Sequence, residues 1–254
     1  MSWRALLVLL LAPLLMAQSG PRLVPDISAR SIQIQYSFTG AQLLLFGAIL
    51  YPGGRVPRRE ADVVVVLKGP VQPIVVREKQ KIAGVWTNAD SNRFRSAPGF
   101  YAVASSKPIS ELVDERTAAI YELGLQNLQL SPGGGAQPEK ERRFESGLLD
   151  LRRRQGLYIE NSKGVEISEA VLYRARISIP SQVPVGTYTA ETFLIDRGKV
   201  IAAATKEIEV GKSGFERFVA ETAVRQELGY GLVAVILPLL LGWTAAAAFR
   251  RRGA

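Results

Sequence analysis

The sequence predicts a mainly β protein, with two immunoglobulin-like antiparallel β-sandwich modules, a helical insertion between them, and one C-terminal transmembrane helix. Three observations carry this expectation. Short stretches alternate apolar and polar residues with the period of a strand. Two middle segments, "KPISELVDERTAAIYELG" and "EKERRFESGLLDLRRRQG", change to the period of a helix. Near the end, 22 residues from Leu228 to Phe249 carry no charge, and at about 1.5 Å per residue they would cross a hydrocarbon core of roughly 30 Å.

The expected divisions are a signal peptide (1–17), a first β module (18–106), a helical insertion (107–156), a second β module (157–212), a juxtamembrane helix (213–227), a transmembrane helix (228–249) and a cytoplasmic tail (250–254). "MSWR" followed by "ALLVLLLAPLLMA" has the charge, apolar run and small Ala17 of a secretory leader, and the run is too short to span. Leu15, larger than the usual alanine, leaves an uncleaved leader open. In the first module "SIQIQYSF" alternates as a sheet with one wet face. "AQLLLFGAILY" is a more buried strand in which Gly47 marks a bulge or the close approach of another backbone. "ADVVVVLKG", "PVQPIVVREKQKIAGVWTNAD" and "GFYAVASS" complete the series.

The first helical segment places Leu112, Val113, Ala119, Ile120 and Leu123 on one face, and the second aligns Phe144, Leu148 and Leu151. In the second module "LYIENS" and "GVEIS" read as a hairpin, and "LYRARISIP" alternates Tyr173, Ala175, Ile177 and Ile179 against polar residues. Asp196 to Lys199 form a turn between the last strands. "PVGTY" has the Pro-x-Gly-x-Tyr spacing found at the entry to a late strand of such sandwiches. Toward the C-terminus "GFERFVAETAVRQE" has helical spacing. Gly242 and Ala246 in the apolar run would let a second helix approach closely, or would simply face lipid.

Composition excludes much chemistry. There is no cysteine and no histidine, which removes thiolate and imidazole metal ligands and the Ser-His and Cys-His nucleophile arrangements. No serine is followed three residues later by lysine. "GYGLVA" mimics a dinucleotide loop inside an apolar run, and "GKS" at Gly211 lacks the first glycine of a phosphate loop, with Lys206 in its place. Glu111 and Glu115 are one turn apart on an amphipathic surface helix, which is ordinary decoration. No enzyme activity and no cofactor are therefore expected.

The chain carries +9, and residues 18–106 hold 11 basic against 5 acidic residues, whereas residues 107–212 balance at 15 each. A basic exported module favours anionic lipid, an anionic solute or an acidic partner over nucleic acid. The sharpest constellation is "VREKQKIAGVWTN", where an extended backbone puts Arg77, Lys79 and Lys81 on one side with Trp86 and Asn88 close behind. That side could hold a small anion or a partner by charge and hydrogen bonds. Lysines that protect an edge strand from pairing explain the same residues.

Five segments, "LKGPVQPIVVREKQKIAGVWTNAD", "GFYAVASSKPI", "RRQGLYIE", "LYRARISIPSQVPVGTY" and "GFERFVAETAVRQELGYGLVAV", together resemble the putative transmembrane protein family of alphaproteobacteria (Alph_Pro_TM). The resemblance implies a signal-bearing, single-span protein of the cell inner membrane with its N-terminal domain in the periplasm and its C-terminus in the cytoplasm. It assigns no activity and no catalytic residue. It also implies a neighbourhood of membrane transporters of the sulfite or taurine exporter type. The expected function is a non-enzymatic accessory or interaction subunit for a membrane partner, with a small-anion-binding or sensing module as the alternative.

Overall fold

The computed structural model describes residues 20–34, 40–57, 60–134, 137–212 and 227–250. Its strands are β1 (Arg22–Ile27), β2 (Ser31–Ile34), β3 (Ala41–Leu50), β4 (Asp62–Lys68), β5 (Val71–Ile82), β6 (Val85–Pro98), β7 (Tyr101–Ser105), β8 (Ser131–Pro132), β9 (Tyr158–Asn161), β10 (Val165–Ser168), β11 (Leu172–Ile179), β12 (Gly186–Asp196) and β13 (Lys199–Lys212). The helices are α1 (Ile109–Leu112), α2 (Glu115–Ile120), α3 (Pro138–Arg154) and α4 (Glu227–Arg250).

The mainly β expectation holds, but the strands build one sandwich, not two. A four-stranded sheet runs β1-β3-β11-β10 and a six-stranded sheet runs β2-β13-β12-β4-β7-β9. β3 from the first stretch pairs with β11 from the second, and β4 pairs with β12. The apolar faces explain the interleaving. Leu43, Leu45 and Ile49 from the first stretch bury in one cluster with Tyr173, Ala175, Ile177, Phe193 and Leu194 from the second. Separated, each stretch would leave those faces wet, at about 25 cal/mol per Å² of apolar area.

β4 is fully buried from Val63 to Leu67, as a strand covered on both faces must be. The four-stranded sheet lies on one side, and the stretch 107–130 adds Leu112, Leu123, Leu125 and Leu128 to the same core. That stretch is not the single helix expected. Val113 adopts an extended backbone and bridges to Gly198, and Asp114 begins a new helix by accepting a hydrogen bond from the Thr117 amide. The break rotates the buried face, so Ala118 is inside while Ala119 and Ile120 are exposed. Glu111 and Glu115 consequently lie on different helices, both exposed.

The expected β9–β10 hairpin also fails. β9 pairs in parallel with β7 and β10 pairs with β11, so the two short strands join different sheets. Tyr158 at the start of β9 is buried edge-on against Tyr101, which fixes β9 beside β7. Elsewhere the sequence patterns survive. β11 alternates buried and exposed residues as predicted, and the β12–β13 turn has positive φ at Arg197 and Gly198, as the tightest hairpins require. Tyr188 of the Pro-x-Gly-x-Tyr segment donates its hydroxyl proton to the Pro184 carbonyl at 2.7 Å, the geometry of a tyrosine corner.

The transmembrane helix is not supported. Among the described residues no helix is long and apolar enough to cross a membrane. α4 contains Pro238, which has no backbone N–H to give to the helical ladder. Gly242 lies in α4 with no atom of the described residues outside that helix within 4 Å of the position of a Cβ, and Ala246 follows one turn later on the same helix. The expected leader over 1–17 and the juxtamembrane segment 213–226 lie outside the described residues, as do residues 251–254.

Candidate interaction surface

β4 and β7 are neighbours in the six-stranded sheet, yet 32 residues separate Lys68 from Tyr101 in the chain. Those residues continue the same antiparallel ladder. Lys68 pairs with Tyr101 and Val71 with Pro98, while the Gly69 amide donates to the Phe100 carbonyl (2.8 Å) and the Gly99 amide to the Pro70 carbonyl (2.9 Å). β5 and β6 are thus β4 and β7 prolonged into an arm, about 40 Å long at roughly 3.3 Å per residue.

Tyrosines brace the base of this arm. Tyr158 donates to the Pro98 carbonyl (2.8 Å), and Tyr101 donates to the Glu122 carbonyl (2.6 Å) and accepts from the Gly124 amide (3.1 Å). The ring of Tyr188 lies 5.9 Å from that of Phe100. Burial pushes the Tyr158 hydroxyl up to about 12 and raises Tyr101 and Tyr188 further. A raised folded pKa contributes stability that is complete below the ordinary value of 10.0 and is lost as pH rises through the folded value. Melting temperatures followed by circular dichroism should therefore hold up to about pH 10 and fall steeply between about 10 and 12. Tyr158→Phe, which orphans the Pro98 carbonyl, should cost about 1–2 kcal/mol at neutral pH in denaturant titration.

One face of the arm is spent on α3. Phe94, Ala97, Phe144 and Leu148 form a second small core, with Ile74, Val76 and Leu130 against it. Leu151, expected on the same stripe, lies beyond the contact and is exposed. Arg143 pairs with Glu78 (3.1 Å) and Asp90 (3.0 Å), and Lys140 with Asp90. The hydrogen bond from Lys140 holds the Asp90 carboxyl below its usual 3.8. This depressed value means that the pair helps the fold above that pH and is lost as pH falls through the folded value. The α3 cations Lys140 and Arg143 are therefore committed to the arm, and Arg154 pairs with Asp150.

The opposite face is exposed among the described residues. Direct pairing sets Lys79 across from Asn88, Lys81 across from Trp86 and Arg77 across from Ser91, so strand alternation puts all five predicted residues on the face opposite Glu78 and Asp90, with Arg77 also bordering the groove beside α3. All are exposed, as is Arg93, which pairs with Val75 on that same face. Glu78 and Asp90, the acids of the two strands, point the other way. Successive cations stand about 7 Å apart along β5, which makes a strip rather than an enclosed pocket. Ile82 and Val85 flank the turn at the tip and are as exposed as Trp86, a feature the sequence pattern did not single out. The signal was present in "IAGVW", which lacks the Asn or Asp common in such turns.

Other surfaces are shallower in chemistry. A groove of about 420 Å³ between arm and α3 is lined by Val76, Arg77, Arg143 and Leu151. Another of about 440 Å³ crosses the outer face of the four-stranded sheet at Val24, Phe46 and Leu172. Lys68 bridges Glu122 (2.8 Å) and Glu191 (3.1 Å). Burial disfavours its charge, but the two hydrogen-bonded carboxylates outweigh that and its pKa is raised. Among the described residues no group of three or more acidic side chains has the spacing to hold a metal ion.

No curated protein matches the chain. The crystal structure of Spo0M, a sporulation control protein from Bacillus subtilis, aligns with 82% of this chain and 56% of its own length at 9% identity and a TM-score of 0.31. The chain thus spans little more than half of that protein, and so low a likeness bears on neither fold nor function. The model of the family described as "Putative transmembrane protein (Alph_Pro_TM)" matches residues 22–251, which sets this mainly β sandwich among membrane proteins, and the chain belongs to that family.

Proposed function

We propose that the chain is a non-enzymatic accessory subunit of a membrane assembly, exported so that the sandwich works on the periplasmic side of the inner membrane. The arm is its contact element. One observation carries this reading: the arm leaves the sandwich braced at its base and packed on one face, while its other face keeps Arg77, Lys79, Lys81, Trp86 and Asn88 exposed. A rigid scaffold that presents cations and an aromatic side chain suits recognition, because tryptophan and arginine are enriched among the residues that dominate interface energy and charge guides the encounter. The partner class is a membrane transporter, with exporters of the sulfite or taurine type as the first candidates.

The test is photo-crosslinking in cells of the source organism, with a benzoylphenylalanine at position 88 of the full chain. A single membrane-protein adduct, absent when the same probe replaces Glu207 on β13, is expected. Equal adducts from both positions, or none from position 88, would overturn the assignment of the arm.

A further inference from the structure

The tip of the arm departs from the chemistry of ordinary hairpin turns. Ala83 and Gly84 have φ of 49° and 87°, a pair of left-handed residues joining Ile82 to Val85. Such turns favour Asn or Asp before the glycine, because those side chains tolerate the left-handed region, where alanine is strained. Here alanine takes that place. Alanine there removes the one polar side chain a turn of this kind normally carries, and leaves Ile82, Ala83, Gly84, Val85 and Trp86 as five residues whose only polar side-chain group is the Trp86 indole N–H.

All three large side chains of the tip are exposed, Ile82 by 54%, Val85 by 64% and Trp86 by 66%. Direct pairing puts Ile82 with Val85 on one face and Trp86 with Lys81 on the other, so each face of the tip presents a large apolar or aromatic side chain. Cations follow at rising distance: Lys81 one residue behind the apolar tip, Lys79 about 7 Å further back and Arg77 about 7 Å beyond that. The face that carries them has no acid, since Glu78 and Asp90 are turned toward α3 and paired there.

We propose that the tip inserts into the headgroup layer of a bilayer containing anionic lipid. This rests on the arm being the contact element, and names what its end touches. Insertion by roughly 5–10 Å would bury Ile82, Ala83 and Val85 in the acyl boundary and place the Trp86 ring at headgroup level, where amphipathic rings are favoured. Lys81 and Lys79 would then stand among the lipid phosphates, each adding charge attraction. A protein groove would account for the apolar residues, but it would not call for lysines on the flank at headgroup spacing. Membership of a membrane protein family supplies the surface.

The chain has no cysteine, so a single one can be placed at will. Val85→Cys in the full chain, labelled with an environment-sensitive nitrobenzoxadiazole, is to be reconstituted in nanodiscs of phosphatidylcholine alone or with three-tenths phosphatidylglycerol. In the anionic discs the label should shift to the blue and be quenched by spin-labelled acyl chains. Lys79→Gln with Lys81→Gln should weaken the insertion equilibrium roughly fivefold per lysine, and added salt should weaken it too. An unquenched label whose spectrum is the same in both kinds of disc would overturn the proposal. A protein adduct from position 88 together with that result would leave the arm a protein-binding element only. Insertion without any protein adduct would instead remove the accessory-subunit reading and keep the lipid contact.

Discussion

Gly47→Ala should lower the stability of the sandwich by about 3 kcal/mol, a loss of roughly 10 °C in melting temperature for a domain of this size. The reason is geometric. A Cβ at position 47 would stand 2.5 Å from the Val24 carbonyl oxygen and 2.6 Å from the Tyr173 hydroxyl. β3 has β1 on one side and β11 on the other, with Gly47 opposite both Pro25 and Tyr173, so neither neighbour can withdraw without breaking a ladder. Gly147→Ala is the control. A Cβ there meets nothing within 4 Å, and alanine should stabilise α3 by about 0.5–1 kcal/mol. Thermal melts of the two variants decide it; similar melting temperatures would show that β1 yields to the added carbon.

The second large effect is local. Phe144→Ala should remove about 3–5 kcal/mol from the contact between α3 and the arm, because its ring fills most of the small core with Phe94 and Leu148. That core is separate from the main one. Amide exchange should therefore speed up across 138–154 and 71–98 while β4 and β12 stay protected. Equal loss of protection in β12 would show that the arm and sandwich unfold as one unit.

These two sites mark the limits of what the sequence makes legible. Gly47 stands out in "LLLFGAIL" because glycine inside an apolar strand needs a reason, and the close approach of Tyr173 supplies it. The alternation of β11 and the turn at Arg197 and Gly198 are equally local, and survive intact. Pairing is not local. Nothing in "LYIENS" states that Tyr158 will lie beside Tyr101, so adjacent short strands read as a hairpin when they belong to opposite sheets. The single sandwich was hidden for the same reason: interleaving depends on how much apolar face each stretch can cover alone, and a period of two is silent about the partner. Arg77, Lys79, Lys81, Trp86 and Asn88 could be placed on one face because that requires only extended backbone. That they sit on an arm required knowing that Lys68 and Tyr101 are paired.

The unbroken ladder from β4 and β7 into the arm makes the tip a mechanical lever. A sideways load applied about 40 Å from the base acts on sheets packed about 10 Å apart, so the base feels it multiplied roughly fourfold. Gly99 lies at the fulcrum, where a Cβ would come within 2.4 Å of the Pro184 ring, and Tyr188 locks the Pro184 carbonyl in place. A bearing that tight transmits torque instead of absorbing it. Whatever deflects Trp86 is therefore delivered to β4, whose Val63 to Leu67 are fully buried.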